Sequence, residues 1–297
     1  MAIKTETLKQ VGTQPRQKPV SSTIGRILRY VLLIGLGLTL IMPFVLTAIG
    51  TFKTDAEIIA FPPQFFPAEW HVENWAKVWT TDIGGGGTFP RWLFNTAFLS
   101  VTIAILAVIF CSMAAYAFAR LEFPGRDAVF AFMLATMMIP TAVTLIPAYV
   151  LMTKLRLINT FWSLIIPGAV SAGSIFLLTQ FFKSVPRDLE EAAVIDGANN
   201  MEIYRNVILP LAKPALLTVF ILQFQALWNN FLQPLLYLNT PDKYVLNVAL
   251  SIFQQQFKAQ WNLTLVGAMV NAIPILIIFF IASKYFVEGV SYTGIKG

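Results

Sequence analysis

Charge is what this sequence has least of. Only 12% of its 297 residues are Asp, Glu, Lys or Arg, against about a quarter in a soluble globular domain. Six long stretches carry no charge at all: Tyr30–Phe52, Trp92–Ala119, Ala128–Thr153, Leu157–Phe182, Pro214–Pro241 and Trp261–Ser283. With no Asp, Glu, Lys, Arg or His inside those runs, an ion-coupled secondary transporter lacks its usual coupling residue. Histidine is nearly missing as well. His71 is the sole one and falls in a polar loop, which excludes a membrane metal hydrolase of the His-Glu-x-x-His kind. The one cysteine, Cys111, rules out an intramolecular disulfide and reads as packing within its apolar run. A net charge of +6 does not indicate nucleic acid, because the basic residues flank apolar runs rather than gather on a soluble domain. A cleavable signal peptide is not expected, since the first apolar run, from near Tyr30, is too long for a signal core.

What remains is apolar and helix-length. Each of the six runs exceeds the ~20 residues a helix needs to cross a bilayer. Helices satisfy their own backbone hydrogen bonds in lipid. The expected fold class is therefore an all-α integral membrane protein with six transmembrane helices. An even number of spans places both termini on one side. That side carries 14 Lys or Arg and the opposite side seven, so both termini are expected in the cytoplasm. The polar arm before the first run, 1–25, is expected to be disordered. Residues 26–288 form the membrane domain and 289–297 a cytoplasmic tail. In the loop from Lys53 to Arg91, Pro62, Pro63 and Pro67 with Trp70, Trp75 and Trp79 suggest a turn and a short helix at headgroup level. Gly84–Gly87 reads as a flexible joint, and neither it nor Gly289 and Gly294 is a phosphate loop, since the lysine that motif requires is absent. Pro140, Pro147, Pro167, Pro234 and Pro274 lie inside apolar runs, where kinks are expected.

The longest charged interval between two such runs is Pro186–Pro214, part of a loop spanning 184–213. Ser184, Pro186 and the acidic cluster Asp188, Glu190 and Glu191 make a helix start, because carboxylates favour the positive end of a helix dipole. The helix is expected to run to about Asp196 and to stop at Gly197, which tolerates a positive φ. Asn199 or Asn200 can cap a second helix from about Met201 to Val207. Pro210 and Pro214 then redirect the chain. Two short helices at a bend make a compact knob. Ala192 and Ala193 keep one side of it low, and Glu191 can meet a cation on an approaching surface. The alternative is an ordinary amphipathic loop lying on the membrane.

The fifth run is the richest in amides. Neutral amides in hydrocarbon need partners, either neighbouring helices or a polar solute. Asn229, Asn230 and Gln233 can share a helix face by their three- and four-residue spacing. Asn271 in the sixth run is a further candidate. Trp228 and Phe231 supply flat apolar faces of the sort a sugar ring lies against. Glue between helices and solute contact both remain open for each residue.

Glu191-Ala192-Ala193, three residues, Gly197, nine residues and Val207-Ile208-Leu209-Pro210 together resemble the "EAA" loop of ABC importer permeases, with Val207 where Ile is usual. Phe94-Asn95-Thr96, Ala115 to Arg120 with Phe123 and Gly125-Arg126, Trp228-Asn229-Asn230-Phe231 with Pro234-Leu235, and the ending Gly289 to Gly297 resemble the smaller, six-span permease of maltose-type carbohydrate importers. The resemblance covers the chain from about residue 25. It implies a non-enzymatic permease subunit of an ATP-driven sugar importer in a bacterial or archaeal cytoplasmic membrane. Another polar solute, such as a polyol, glycerol phosphate or an amino acid, is the alternative, and a bare channel leaves the patterned loop without a purpose. The implied partners are a second permease, a pair of cytoplasmic ATPase subunits, an extracytoplasmic solute-binding protein and the lipid bilayer, with no nucleic acid. This chain would bind no cofactor; ATP and Mg would be used by the ATPase. The implied coupling residues are Glu190, Glu191, Ala192, Ala193, Asp196, Gly197, Ala198, Leu209 and Pro210, with the C-terminal tail also reaching the ATPase.

Overall fold

The computed structural model describes residues 23–81, 86–256 and 260–291. The expectations for the N-terminal arm up to residue 22, for Gly84 and Gly85, and for the tail from 292 fall outside these. Among the described residues the chain is all-helical, with no strand. It forms two compact units, one ending at Leu46 and one beginning at Thr47. Helix α1, Thr23–Gly50, is apolar throughout and contains Pro43. The second unit holds every helix after α1.

Its axis is α4, Phe89–Arg120, an unbroken helix of 32 residues with Pro90 in its first turn, where the missing N–H has no intrahelical partner to lose. Ala104, Ala107, Cys111, Ala115 and Ala119 are buried along one stripe of it. Small side chains three and four apart let neighbouring helices approach closely. Against that stripe pack α8, Ala172–Ser184, and α12, Lys213–Trp228. Nearer its middle α4 meets α7, Trp162–Gly168. There an added Cβ on Gly168 would lie 2.7 Å from Ile103 Cγ2.

The charge-free runs do not all become single rods. Among the described residues four helical stretches, with Trp162–Ser184 taken as one, are long and apolar enough to cross a membrane, or up to six if each bent pair counts as one span. The third run is α5, Arg126–Thr136, and α6, Thr141–Lys154, which meet at 100°. Pro140, with ψ 134°, has no N–H to donate and forces the residue before it out of the helical region. The fourth run is interrupted at 169–171, just after Pro167, and Ser171 caps α8 by accepting from Ser174 N. Pro147 and Pro274 stay inside continuous helices. The expectation for the fifth run needs correction. α12 stops at Trp228, the chain breaks at 229–231, and α13, Leu232–Tyr237, is a short separate helix. Asn229 and Asn230 therefore do not share one helix face with Gln233. A further helix, α14, Leu246–Gln256, lies between the fifth and sixth apolar runs. The last helix, α15, is Trp261–Ser291.

The segment after α1 is held by a polar hub. It contains α2, Asp55–Ile59, and α3, Glu73–Thr80. Buried Asn74 donates to Thr51 O and Lys53 O and accepts from Asn262 Nδ2. The Trp75 indole donates to Thr51 Oγ1, and Asp55 Oδ1 accepts from Asn262 N in the first turn of α15. Trp75 is thus part of an internal joint, while Trp70 and Trp79 are exposed. Glu57 accepts from Thr54 N and Ala68 N, which holds its carboxyl below the usual range.

Candidate functional site

The interval 186–211 folds as the knob its sequence suggests. Helix α9, Asp188–Ile195, has three carboxylates in its first turn, where they meet the unpaired N–H groups. It ends in a Schellman arrangement: Gly197 N donates to Val194 O, Ala198 N donates to Ala193 O, and Gly197 has φ 86°. Few residues other than glycine adopt that φ without strain. Asn199 is the cap of the second helix. Its side chain accepts from Met201 N and Glu202 N, and Glu202 accepts from Asn199 N in return, a reciprocal box that satisfies three donors.

This second helix runs beyond the expected end at Val207. Asn200–Ile203, α10, continues through a π-turn at Tyr204–Ile208 into α11, Leu209–Leu211. The π-turn has a local cause. Pro210 cannot donate, and its ring crowds the preceding turn. Just before it, Leu209 N reaches back to Tyr204 O, lengthening the hydrogen-bonded ring by one residue. Beyond Leu211 the chain turns by 78° into α12.

Two polar contacts fix the knob to α4. Arg120 Nε lies 2.6 Å from Glu190 Oε1 as a charge contact off the ideal hydrogen-bond direction, and Arg120 Nη2 donates to Val185 O at 2.6 Å. The Tyr204 hydroxyl meets Ser112 Oγ at 2.7 Å, and its ring lies 5.2 Å from that of Tyr116. Ile203 and Ile208 bury their side chains in the core formed by α4 and α8.

The sequence-derived coupling residues divide accordingly. Glu191, Ala192, Asp196, Gly197 and Pro210 are exposed. Ala193, Ala198 and Leu209 are turned partly inward against the core. Glu190 belongs to the internal ion pair, so it braces the knob rather than facing outward. Sequence reasoning missed the apolar tip. Val194 and Ile195, at the end of the otherwise acidic α9, are 59% and 85% exposed, and Met201, at the start of α10, is 58% exposed. It also missed Arg120, Ser112 and Tyr204, whose partners lie 65 to 92 positions away. Arg120 did leave a signal, as the first charge after a charge-free run. A cleft of about 380 Å³ opens beside the pair, lined among others by Tyr116, Leu121, Arg187 and Glu191.

The amide candidates separate in the same way. Trp228 is buried, and its indole donates to Asn271 O at 2.9 Å. Asn247, absent from the sequence-derived set, donates to Trp228 O and accepts from Asn271 Nδ2. Trp228 and Asn271 therefore tie α12, α14 and α15 together. Asn229, exposed, donates back to Gln225 O, and Asn230 donates to Gln233 Oε1 at 2.8 Å. Phe231 is exposed at the break. At the other end of α4 from the knob, Asn95 donates to Asp242 O and Tyr244 O, Trp92 donates to Pro241 O, and Thr96 Oγ1 accepts from Leu246 N. Among the described residues no cluster of His, Cys, Asp and Glu forms a metal site.

Comparison with known proteins follows the same outline. A family model described as "Binding-protein-dependent transport system inner membrane component" matches residues 107–292. The chain is 30% identical over 259 residues to the arabinooligosaccharides transport system permease protein AraQ of Halalkalibacterium halodurans, covering 86% of this chain and 91% of that one. It is 30% identical over 284 residues to the sn-glycerol-3-phosphate transport system permease protein UgpE of Brucella abortus, covering 93% and 98%. Among solved structures it resembles, with a TM-score of 0.77 and 26% identity over 91% of this chain and all of the other, a chain of a bacterial ABC transporter involved in import of the acidic polysaccharide alginate.

Proposed function

This chain belongs to the family of binding-protein-dependent transport system inner membrane components, and from that premise we propose that it is one of two membrane-spanning subunits of an ATP-driven oligosaccharide importer. The single observation that carries the coupling role is the knob itself. It is a capped, bent helix pair, braced from behind by Arg120 and Tyr204 and presenting Glu191, Ala192, Gly197 and an apolar tip to the outside. In this reading the tip seats on a cytoplasmic ATPase subunit that holds ATP and Mg, and a second permease and a solute-binding protein complete the assembly. The chain itself catalyses nothing.

Six passes with both termini cytoplasmic fit the arrangement, each bent or interrupted run counting as one. α4 and α8 end near the knob, α5 and α12 start there, and α7 and α15 start at the far end. The excess of basic residues on the knob's side supports placing that side in the cytoplasm. The cytoplasmic membrane of a bacterium or archaeon is the setting.

For the solute pathway the surroundings of Asn229, Asn230, Phe231 and Gln233 support contact with a polar, uncharged solute, as does Asn271 Oδ1, which is buried and meets no donor. A relative named for arabinooligosaccharides and a solved neighbour named for alginate favour saccharides. The glycerol-phosphate relative supports a phosphorylated polyol as the second reading. The decisive test is co-expression of this chain with its partner subunits, followed by affinity capture and uptake in proteoliposomes. Glu191→Arg is expected to leave membrane insertion intact, release the ATPase and abolish ATP-dependent uptake. Uptake of labelled oligosaccharide, but not glycerol phosphate, would be the expected selectivity. A Glu191→Arg variant that captures the ATPase and transports normally overturns the docking role.

A further inference from the structure

We infer that Arg120 is a positioning residue for coupling: its guanidinium locks the first helix of the knob to the end of α4, so that force on the knob moves α4 as a rod. The inference rests on the importer reading above.

The knob's first helix, α9, buries no residue fully. Ala193 and Ala198 only rest against the core. Its one ion pair among the described residues is Glu190 with Arg120, and those side chains are 15% and 5% exposed. The same guanidinium donates to Val185 O, directly before Pro186. One planar group therefore holds three segments together: the end of α4, the exit of α8 and the start of α9. A lysine, as a single point of charge, does not reproduce a planar group that donates to a carbonyl from one nitrogen while another lies against a carboxylate. The second helix is tied to α4 too, through Tyr204 and Ser112.

At its far end α4 grips the 241–246 segment through Trp92, Asn95 and Thr96. Asn95 and Arg120 are 25 residues apart, about 38 Å along a helix. The third, fourth and fifth apolar runs are all interrupted, whereas α4 is not. Interrupted elements absorb displacement at their breaks, and a continuous helix passes it on. Stability alone gives little reason for the pair, because a buried ion pair is often no better than an apolar pair of similar volume. Direction and stiffness are what the guanidinium supplies and a pair of methionines does not.

The test uses the complete importer in proteoliposomes and compares Arg120→Met, Glu190→Met, the double methionine variant and Arg120→Lys. Melting temperature, ATP hydrolysis and solute uptake are read together. Each single methionine variant strands a buried charge and is expected to melt earlier. The double variant is expected to melt at or above the unmodified complex, yet to move about tenfold less solute per ATP hydrolysed. Arg120→Lys is expected to recover part of that ratio. A double variant with an unchanged ratio overturns the inference, as does a series in which ratio and melting temperature fall and recover together. An unmodified complex without ATP-dependent uptake overturns the importer reading, and this inference with it.

Discussion

Gly197 separates backbone strain from partner contact, because its surroundings are empty. Its φ is 86°, and a Cβ built on it would meet nothing within 4 Å. An alanine there costs only the left-handed backbone, about 1–2 kcal/mol. That lowers the population of the bent knob roughly 5- to 30-fold relative to alternatives. Asparagine tolerates the same conformation and is expected to cost less than alanine. Tryptophan carries the alanine's backbone cost and extends from a Cβ with open space around it, so a further loss much larger than alanine's is expected to come from a surface that approaches from outside. The assay is capture of the ATPase by the tagged chain, alongside uptake in proteoliposomes. Asn is expected to retain most capture, Ala to lose part and Trp to lose nearly all. If Trp captures the ATPase as well as Ala does, no partner comes within a side chain's length of the bend, and the docking geometry argued above is refuted.

Two further outcomes test the scaffold. Asn74→Ala leaves two carbonyls and the Asn262 amide without their partner, a loss of roughly 2–4 kcal/mol that should appear as a lower melting temperature of the detergent-solubilised protein. An unchanged melt would remove Asn74 from its place as hub. Trp228→Phe deletes one buried hydrogen bond and should destabilise by about 1–3 kcal/mol without altering which solute is carried, whereas Asn230→Ala and Gln233→Ala should alter uptake affinity with little effect on melting. Reversal of that split, read from thermal unfolding and concentration-dependent uptake, would exchange the roles of glue and pathway.

The sequence is most informative where a feature depends on near neighbours. The absence of charge located the apolar runs, and Gly197 and Asn199 marked the bend and the cap, because φ preference and capping act within a few residues. Pro140 and Pro167 announced two of the interruptions, yet Pro147 and Pro274 sit in continuous helices. A proline removes one bond in every context, and only packing decides whether the chain then bends. The break at 229–231 has no proline at the break itself. The pairings of Arg120 with Glu190, Ser112 with Tyr204 and Asn74 with Asn262 span 70 to 188 positions. Apart from Arg120, the first charge after its run, nothing local distinguishes those residues from other polar side chains. Nor is it written locally which way each acid of the knob faces. Glu190 and Glu191 are adjacent acids, and a helix of eight residues turns one toward α4 and the other away only once its rotation is fixed by the core.

The break in the fifth run explains why amides gather there. α12 has 16 residues, about 24 Å of helix, short of the ~30 Å hydrocarbon layer. Ending a helix inside an apolar layer strands carbonyls that water does not reach, and each must find a donor. Gln225 O takes both the backbone and side-chain N–H groups of Asn229, and Trp228 O takes Asn247 Nδ2. Asn271 then holds Asn247, and the Trp228 indole returns to Asn271 O, closing the circuit across three helices. The N–H groups of Asn229 and the backbone carbonyl and side-chain N–H of Asn271 are therefore occupied in making the break possible. The Asn230–Gln233 pair, exposed Asn229 and Phe231, and the free Asn271 Oδ1 are what the circuit leaves over. A solute contact at this break consequently cannot be independent of the helix ending: a substitution that straightens the chain through 229–231 should remove the site and the need for the circuit together.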